Sequence, residues 1–338
     1  MYEKKEQLFE WCNSSLIELD QAIALSISPL REEASFRKYF RLNRKKDSII
    51  GVYSPPELES NKEFISLSNF FRKNNIRVPK VLMASSELGF MMIEDFGDDL
   101  YQFKLNKTNS KDLYAAAINE MIKIHCCSKP KNISLLNKGK CISQMHLFEK
   151  WFLKRFLGFN LSKEQNSILN KVYKIIEEIF FNQPQVLCHF DFESRNLLLL
   201  PNGDVGVLDF QDAVIGPIFL DPVSLLKDLN FRSTDQALND CLEMYTSSAE
   251  KKGLLSNLDE ENYLRCFDFT GLQRQLRILG TLSRLHLRDG KSHRLPDLNK
   301  TLNFISETAS RYEELEDFFQ LVQKKIFPEL NKALRILK

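Results

Sequence analysis

One segment limits what this chain can fold into more than any other. Residues 186–212 read Val-Leu-Cys-His-Phe-Asp-Phe-Glu-Ser-Arg-Asn-Leu-Leu-Leu-Leu-Pro-Asn-Gly-Asp-Val-Gly-Val-Leu-Asp-Phe-Gln-Asp. Its polar members form a pattern in apolar surroundings. His189, Asp191 and Asn196 give His-x-Asp-x-x-x-x-Asn, and Asp209 closes an apolar run 13 residues after Asn196. The runs 197–200 and 205–209 read as strands, and Pro201-Asn202-Gly203-Asp204 supplies the turn of a hairpin. Such a hairpin folds the chain back, bringing Asn196 near Asp209 with Asp191 on the loop just before. Phosphoryl transfer needs this set: one carboxylate to aim and deprotonate a hydroxyl, plus an amide and a second carboxylate to hold Mg²⁺ on nucleotide phosphates. A lone His-x-Asp carries little weight; the ordered set with its hairpin carries much more. The alternative is a buried polar network that happens to share the order.

The remaining composition narrows how phosphates can be held. The 12 glycines include no pair separated by one residue, and neither Gly-Lys pair has a glycine five residues upstream. The dinucleotide fingerprint, the P-loop and the protein-kinase glycine-rich loop are therefore excluded. Lys+Arg 47 against Asp+Glu 45 leaves a net charge of +2, too weak a field to imply nucleic acid or an anionic membrane as partner. The seven cysteines form no C-x-x-C and no zinc spacing, and read as reduced buried thiols. No signal peptide and no run of 18 apolar residues is present, so the expected location is the cytoplasm. The expected partner is a small-molecule substrate, with no nucleic acid, no membrane and a monomeric state.

A chain of 338 residues suggests two domains or lobes. Leu8, Trp11, Cys12, Leu16, Leu19 and Ile23 recur at helical steps and predict a first helix. Residues 35–42, 49–53, 80–84 and 89–94 predict strands, with a helix over 59–74. After Gly97 the pattern turns helical, with runs at 111–126, 145–158 and 163–181, one short strand at 186–188, the hairpin, and helices again from about 224. The fold class expected is α+β with a two-lobed, protein-kinase-like layout. Residues 1–97 form a β-rich N-lobe with the nucleotide-binding sheet, and 98–338 a helical C-lobe with the catalytic loop and substrate site.

The 186–212 segment resembles the kinase-like small-molecule phosphotransferases of the aminoglycoside phosphotransferase superfamily. Further blocks are similar to its bacterial cell-wall amino-sugar kinases, which act on the anomeric hydroxyl of N-acetylmuramate and N-acetylglucosamine. They are 34–41 (Ala-Ser-Phe-Arg-Lys-Tyr-Phe-Arg), 93–98, 208–213, Gly216-Pro217, 221–228, 272–280 and 287–291. The resemblance implies an ATP- and Mg²⁺-dependent kinase with Asp191 as catalytic base, Asn196 and Asp209 as metal ligands, and His189 and Asp221 as supports of the loop. Aminoglycoside-type and choline-type phosphotransferases, and a nucleotide-binding pseudokinase regulator, are the other readings.

The chain departs from the pattern in places. The second strand, Ile49-Ile50-Gly51-Val52-Tyr53-Ser54, has no β3 lysine, and the glycine usual after His189 is Phe190. Arg37 and Arg41 are the candidate phosphate cations, with solvated strand residues as the alternative, and Glu63 is a candidate orienting carboxylate. Ser35 and Phe36 occupy the place of the phosphate loop. Glu94 and Phe96 flank the connector where backbone groups would meet adenine. Glu193, Arg195, Gln211 and Asp212 are the substrate candidates. Arg274, Arg277 and Arg288 form a basic stretch that either faces an anionic substrate or lies on a solvated helix face.

Overall fold

The computed structural model describes residues 2–30, 36–59, 61–130 and 133–337. In chain order the first elements are α1 (Tyr2–Glu18), β1 (Ser26–Pro29), β2 (Lys38–Asn43), β3 (Ser48–Tyr53), α2 (Asn61–Lys73), β4 (Val81–Ser85), β5 (Phe90–Glu94) and α3 (Tyr101–Lys104). Then come α4 (Ser110–His125), α5 (Lys138–Met145), α6 (Lys163–Phe181) and β6 (Gln185–Cys188). The hairpin β7 (Leu197–Leu199) and β8 (Val205–Val207) precedes β9 (Val214–Pro217). Helices α7 (Leu220–Leu226), α8 (Asp235–Lys251), α9 (Tyr263–Asp289), α10 (Asp297–Ala309), α11 (Glu316–Leu321) and α12 (Phe327–Ile336) complete the chain. Two compact units result: Met1–Leu105 with Ser194–Asp212, and Asn106–Glu193 with Ala213–Lys338.

The first unit is built on an antiparallel sheet of order β1-β2-β3-β5-β4. Leu8, Cys12 and Leu16, spaced four apart on α1, bury against Phe40, Leu42, Ile49, Phe90 and Met92 of that sheet. The helix stops at Glu18, short of the predicted Leu19 and Ile23. Asp20 takes a left-handed φ of 54°, and the Gln21 N–H returns to the Leu16 carbonyl, so the last turn is closed there. Strand β1 was not predicted; Ser26–Pro29 is short, mostly exposed and ends in proline, as suits an edge.

The β7–β8 hairpin belongs with this unit, although the sequence assigned it to the second lobe. Leu198 and Leu200 pack on Phe96, and Phe210 meets Phe64 and Phe71 of α2. A Cβ on Gly206 would come within 2.6 Å of the Phe96 ring, so glycine permits this approach.

The second unit is helical around α9, a 27-residue helix about 40 Å long. Its Leu272, Leu276 and Leu279 share a core with Leu169, Val172 and Ile176 of α6 and Leu298, Leu302 and Ile305 of α10. Residues 266–276 are buried without a break, so the helix has no solvated face there. The single helix predicted over 145–158 is instead α5 followed by π-helical turns at Phe148–Phe156. Gly280 of α9 lies so close to the start of these turns that a Cβ would sit 2.4 Å from the Leu147 carbonyl carbon. Lys227, just after α7, donates to Asp268 of α9 at 2.8 Å and ties the two helices together. All seven cysteines are free, and only Cys126 is exposed. Among the described residues no helix is long and apolar enough to cross a membrane.

Candidate active site

The loop carrying Asp191 leaves β6, which pairs antiparallel with β9 through Val186↔Gly216 and Cys188↔Val214. It is held by one fully buried carboxylate. Asp221, in the first turn of α7, accepts the backbone N–H of His189 at 2.7 Å and of Phe190 at 2.9 Å. Asp221 is steadied in turn by His125 of α4, whose Nε2 lies 3.2 Å away and whose Nδ1 lies 3.0 Å from the Tyr245 hydroxyl. Phe190 has φ 83°, a region that costs a non-glycine residue about 1–3 kcal/mol. The position thus favours glycine for a backbone reason. Phenylalanine holds the conformation through the Asp221 bond and sets its ring 5.1 Å from the Arg277 guanidinium.

Two arginines of α9 face this loop. Arg274 donates from Nη1 to Asp191 at 3.1 Å and from Nη2 to Glu193 at 3.0 Å. Arg277 Nη2 stands 3.7 Å from the same Asp191 oxygen, an ionic contact beyond hydrogen-bond length. Burial opposes the Arg274 charge, but the carboxylates of Glu193 and Asp191 outweigh it and hold its pKa above the ordinary value. For Arg277 burial wins over Asp191, aided by repulsion from Arg274, and the pKa falls below its ordinary value. The fork of Arg274 fixes both carboxylates at once, which a lysine could not do. Arg288, from the same basic stretch, is exposed and pairs with its neighbour Asp289.

The hairpin of the first unit brings the other two predicted residues together. Register Leu197↔Val207 sets Asn196 beside Leu208, and the Leu208 N–H donates to the Asn196 carbonyl at 2.8 Å. Asp209 follows directly with a left-handed φ of 59° and accepts from the Gln211 amide. Asn196 is buried. Gln211 Oε1 is also buried and has no hydrogen-bond partner among the described residues. An all-oxygen donor set with an orphaned acceptor beside it fits a hard divalent cation such as Mg²⁺. Asp212 is exposed and Arg195 half-buried.

The nucleotide-side candidates have definite places. Every nitrogen of the Arg41 guanidinium is engaged with the connector: Nε with Asp95 at 2.6 Å, Nη1 with Asp98 at 2.6 Å, and Nη2 with Asp95 at 3.1 Å. Arg41 therefore acts as a strut between β2 and residues 95–98. Glu94 receives both Nη groups of Arg77, and Phe96 lies under the hairpin with Arg77 stacked 4.8 Å above it. Arg37 is buried, paired with Glu59 at 3.1 Å and set over the Phe64 ring. Phe36 is exposed, as is Glu63 in the first turn of α2. Ser35 lies outside the described residues.

Sequence reasoning missed His125 and Tyr245, and left open the direction of Arg274 and Arg277. The first two lie 96 and 120 residues in sequence from their partners, Asp221 and His125, so no local pattern could link them. The arginines carried no decisive signal, because the sequence around them, Leu272-Gln273-Arg274-Gln275-Leu276-Arg277, is largely polar and reads equally as a solvated face; the burial of 266–276 is a tertiary property.

The antiparallel-sheet unit and the helical unit together make a kinase-like α+β fold. The model of the phosphotransferase enzyme family, APH, matches residues 26–254, and the chain belongs to that family. It is accordingly a phosphotransferase with a hydroxyl acceptor. An N-acetylmuramate/N-acetylglucosamine kinase of Neisseria meningitidis is 30% identical over 302 residues, 88% of this chain and 90% of that protein. One of Pseudomonas putida is 30% identical over 325 residues, 94% of this chain and 95% of that protein. Among solved structures, choline kinase LicA from Streptococcus pneumoniae aligns with TM-score 0.62 at 14% identity, covering 90% of this chain and 99% of that one. ADP-bound aminoglycoside phosphotransferase APH(2'')-Ib aligns with TM-score 0.59 at 16% identity, covering 88% and 97%.

Proposed function

We propose that this chain transfers the γ-phosphoryl group of ATP to the anomeric hydroxyl of an N-acetylated amino sugar, N-acetylmuramate or N-acetylglucosamine. The observation that carries the reading is the anchoring of Asp191. Its loop hangs from buried Asp221 by two backbone bonds, and its carboxylate is fixed by Arg274. The amino-sugar acceptor rests on the names of relatives that match nearly the whole chain.

In this reading Asp191 hydrogen-bonds the acceptor hydroxyl and aims its oxygen at the γ-phosphorus. As the new O–P bond forms, the bond from γ-phosphorus to the bridging oxygen of ADP breaks. Asp191 then takes the hydroxyl proton. Arg274 keeps Asp191 oriented between turnovers. Asn196 and Asp209 would hold Mg²⁺, which supplies charge neutralisation at the phosphates. The segment around Ser35 and Phe36, with Arg37, is assigned to the phosphates, backbone groups near Glu94 and Phe96 to adenine, and Glu193, Arg195, Gln211 and Asp212 to the acceptor side. Arg41 serves the connector.

A coupled ADP-release assay over an acceptor panel tests the reading. Turnover with N-acetylmuramate and N-acetylglucosamine, abolished by chelating Mg²⁺, is expected. Turnover with aminoglycosides or choline alone contradicts it, and nucleotide binding without turnover on any acceptor would point to a regulator.

A further inference from the structure

Arg277 is placed unlike Arg274. Arg274 is fully engaged by two carboxylates, whereas Arg277 shares an Asp191 oxygen that Arg274 already holds, and does so at 3.7 Å. Among the described residues Asp191 is its only ionic partner. Its side chain retains 17% exposure, so its N–H groups can still reach a second anion. It also borders a narrow cleft, with about 10 Å³ of enclosed room, alongside Phe190, Phe180, Leu220, Gln144 and Gln273. That room is about one water molecule's, so only the tip of a ligand group can enter it and the rest must lie at its mouth.

We propose that a carboxylate-bearing ether substituent of the acceptor docks at the mouth of this cleft, with Arg277 binding the carboxylate and the half-buried Phe190 ring meeting the carbon arm. The proposal rests on the amino-sugar reading above and adds the residue that distinguishes acceptors within it. N-acetylmuramate is N-acetylglucosamine bearing a lactic acid ether, so the two differ by the group assigned to Arg277. Geometry permits both ends to be held at once. A hydroxyl bonded to Asp191 at ~2.7 Å and a carboxylate bonded to Arg277 at ~2.8 Å can stand up to about 9 Å apart across the 3.7 Å gap. A carboxylate on a short ether arm two ring carbons from the reacting centre falls within that span. Phe190 links the two functions, since it precedes the base in sequence and stacks on Arg277.

The test compares kcat/KM of the intact wild-type enzyme for N-acetylmuramate, its lactyl amide and N-acetylglucosamine, and repeats the series with Arg277→Met. Neutralising the carboxylate should cost the wild type roughly 10- to 100-fold, mainly in KM, as for loss of a charge-assisted bond. In Arg277→Met the three acceptors should approach parity. Equal use of acid and amide by the wild type overturns the proposal, and this comparison needs no folded variant. An equal loss on all three acceptors in Arg277→Met also overturns it, because Arg277 would then act only through Asp191. If the wild type turns over no amino sugar, the acceptor reading itself falls and the cleft loses its assigned occupant.

Discussion

Asp191→Asn should lower kcat by about 10³-fold while leaving ATP affinity nearly unchanged, since a positioned general base contributes roughly 10²–10⁴-fold. The substitution is a clean one at this site. Asparagine keeps an oxygen able to accept from Arg274 Nη1, which lies 3.1 Å from the native carboxylate, so the loop retains its anchor. The backbone bonds from His189 and Phe190 to Asp221 do not involve the side chain at 191. What is lost is the capacity to take a proton. Steady-state kinetics beside calorimetric titration with ATP separates the two effects. A fully active variant would remove Asp191 from the chemistry.

Arg274→Leu should damage both stability and turnover. Arg274 is buried between Asp191 and Glu193, whose side chains are 26% and 10% exposed. Removing it takes away the cation that both carboxylates share. Breaking a buried ion pair by deleting one partner costs about 3–5 kcal/mol. For a unit of this size that is a fall in Tm of roughly 10 °C. Catalysis should fall at least ~100-fold in kcat, because misplacing the base by about an ångström is enough for that. Arg274→Lys separates the roles. A lysine restores the charge and much of the stability but cannot fork onto both carboxylates, so kcat should stay low while Tm recovers. Recovery of both would make Arg274 a counter-charge without a positioning role.

The hairpin was legible because its information is local. Apolar runs, a Pro-Asn-Gly-Asp turn and two polar residues at its ends dictate a two-stranded register, and that register brings Asn196 beside Leu208 and Asp209. The sheet strands were legible for the same reason, except β1, whose polar sequence gains its strand only by pairing with β2. The end of α1 was misread because Leu19 and Ile23 continue the apolar period. Backbone reversal at Asp20 overrides that period and leaves both side chains exposed. The allegiance of the hairpin was hidden too. It depends on Phe96 and Phe210 meeting residues about a hundred or more positions away. The supports of the catalytic loop form a still longer-range set. Asp221, His125 and Arg274 reach it from three different helices, and only the aspartate sat in a recognisable block.

Phe190 shows how a departure from a family pattern can be read physically. The position demands a left-handed backbone, so glycine is the expected residue, and a side chain there must be compensated. Here the compensation is a buried clamp and a cation–π contact. The ring also lines the same cleft as Arg277, so the acceptor comparison proposed for Arg277 probes this departure as well.

The central claim, phosphoryl transfer to an anomeric hydroxyl, is tested most directly by ³¹P NMR of the product made from ATP, Mg²⁺ and N-acetylmuramate. The account predicts one new phosphomonoester resonance coupled to the anomeric proton, together with loss of the reducing end. A resonance coupled to the C6 methylene protons, or release of inorganic phosphate with the sugar unchanged, would contradict it.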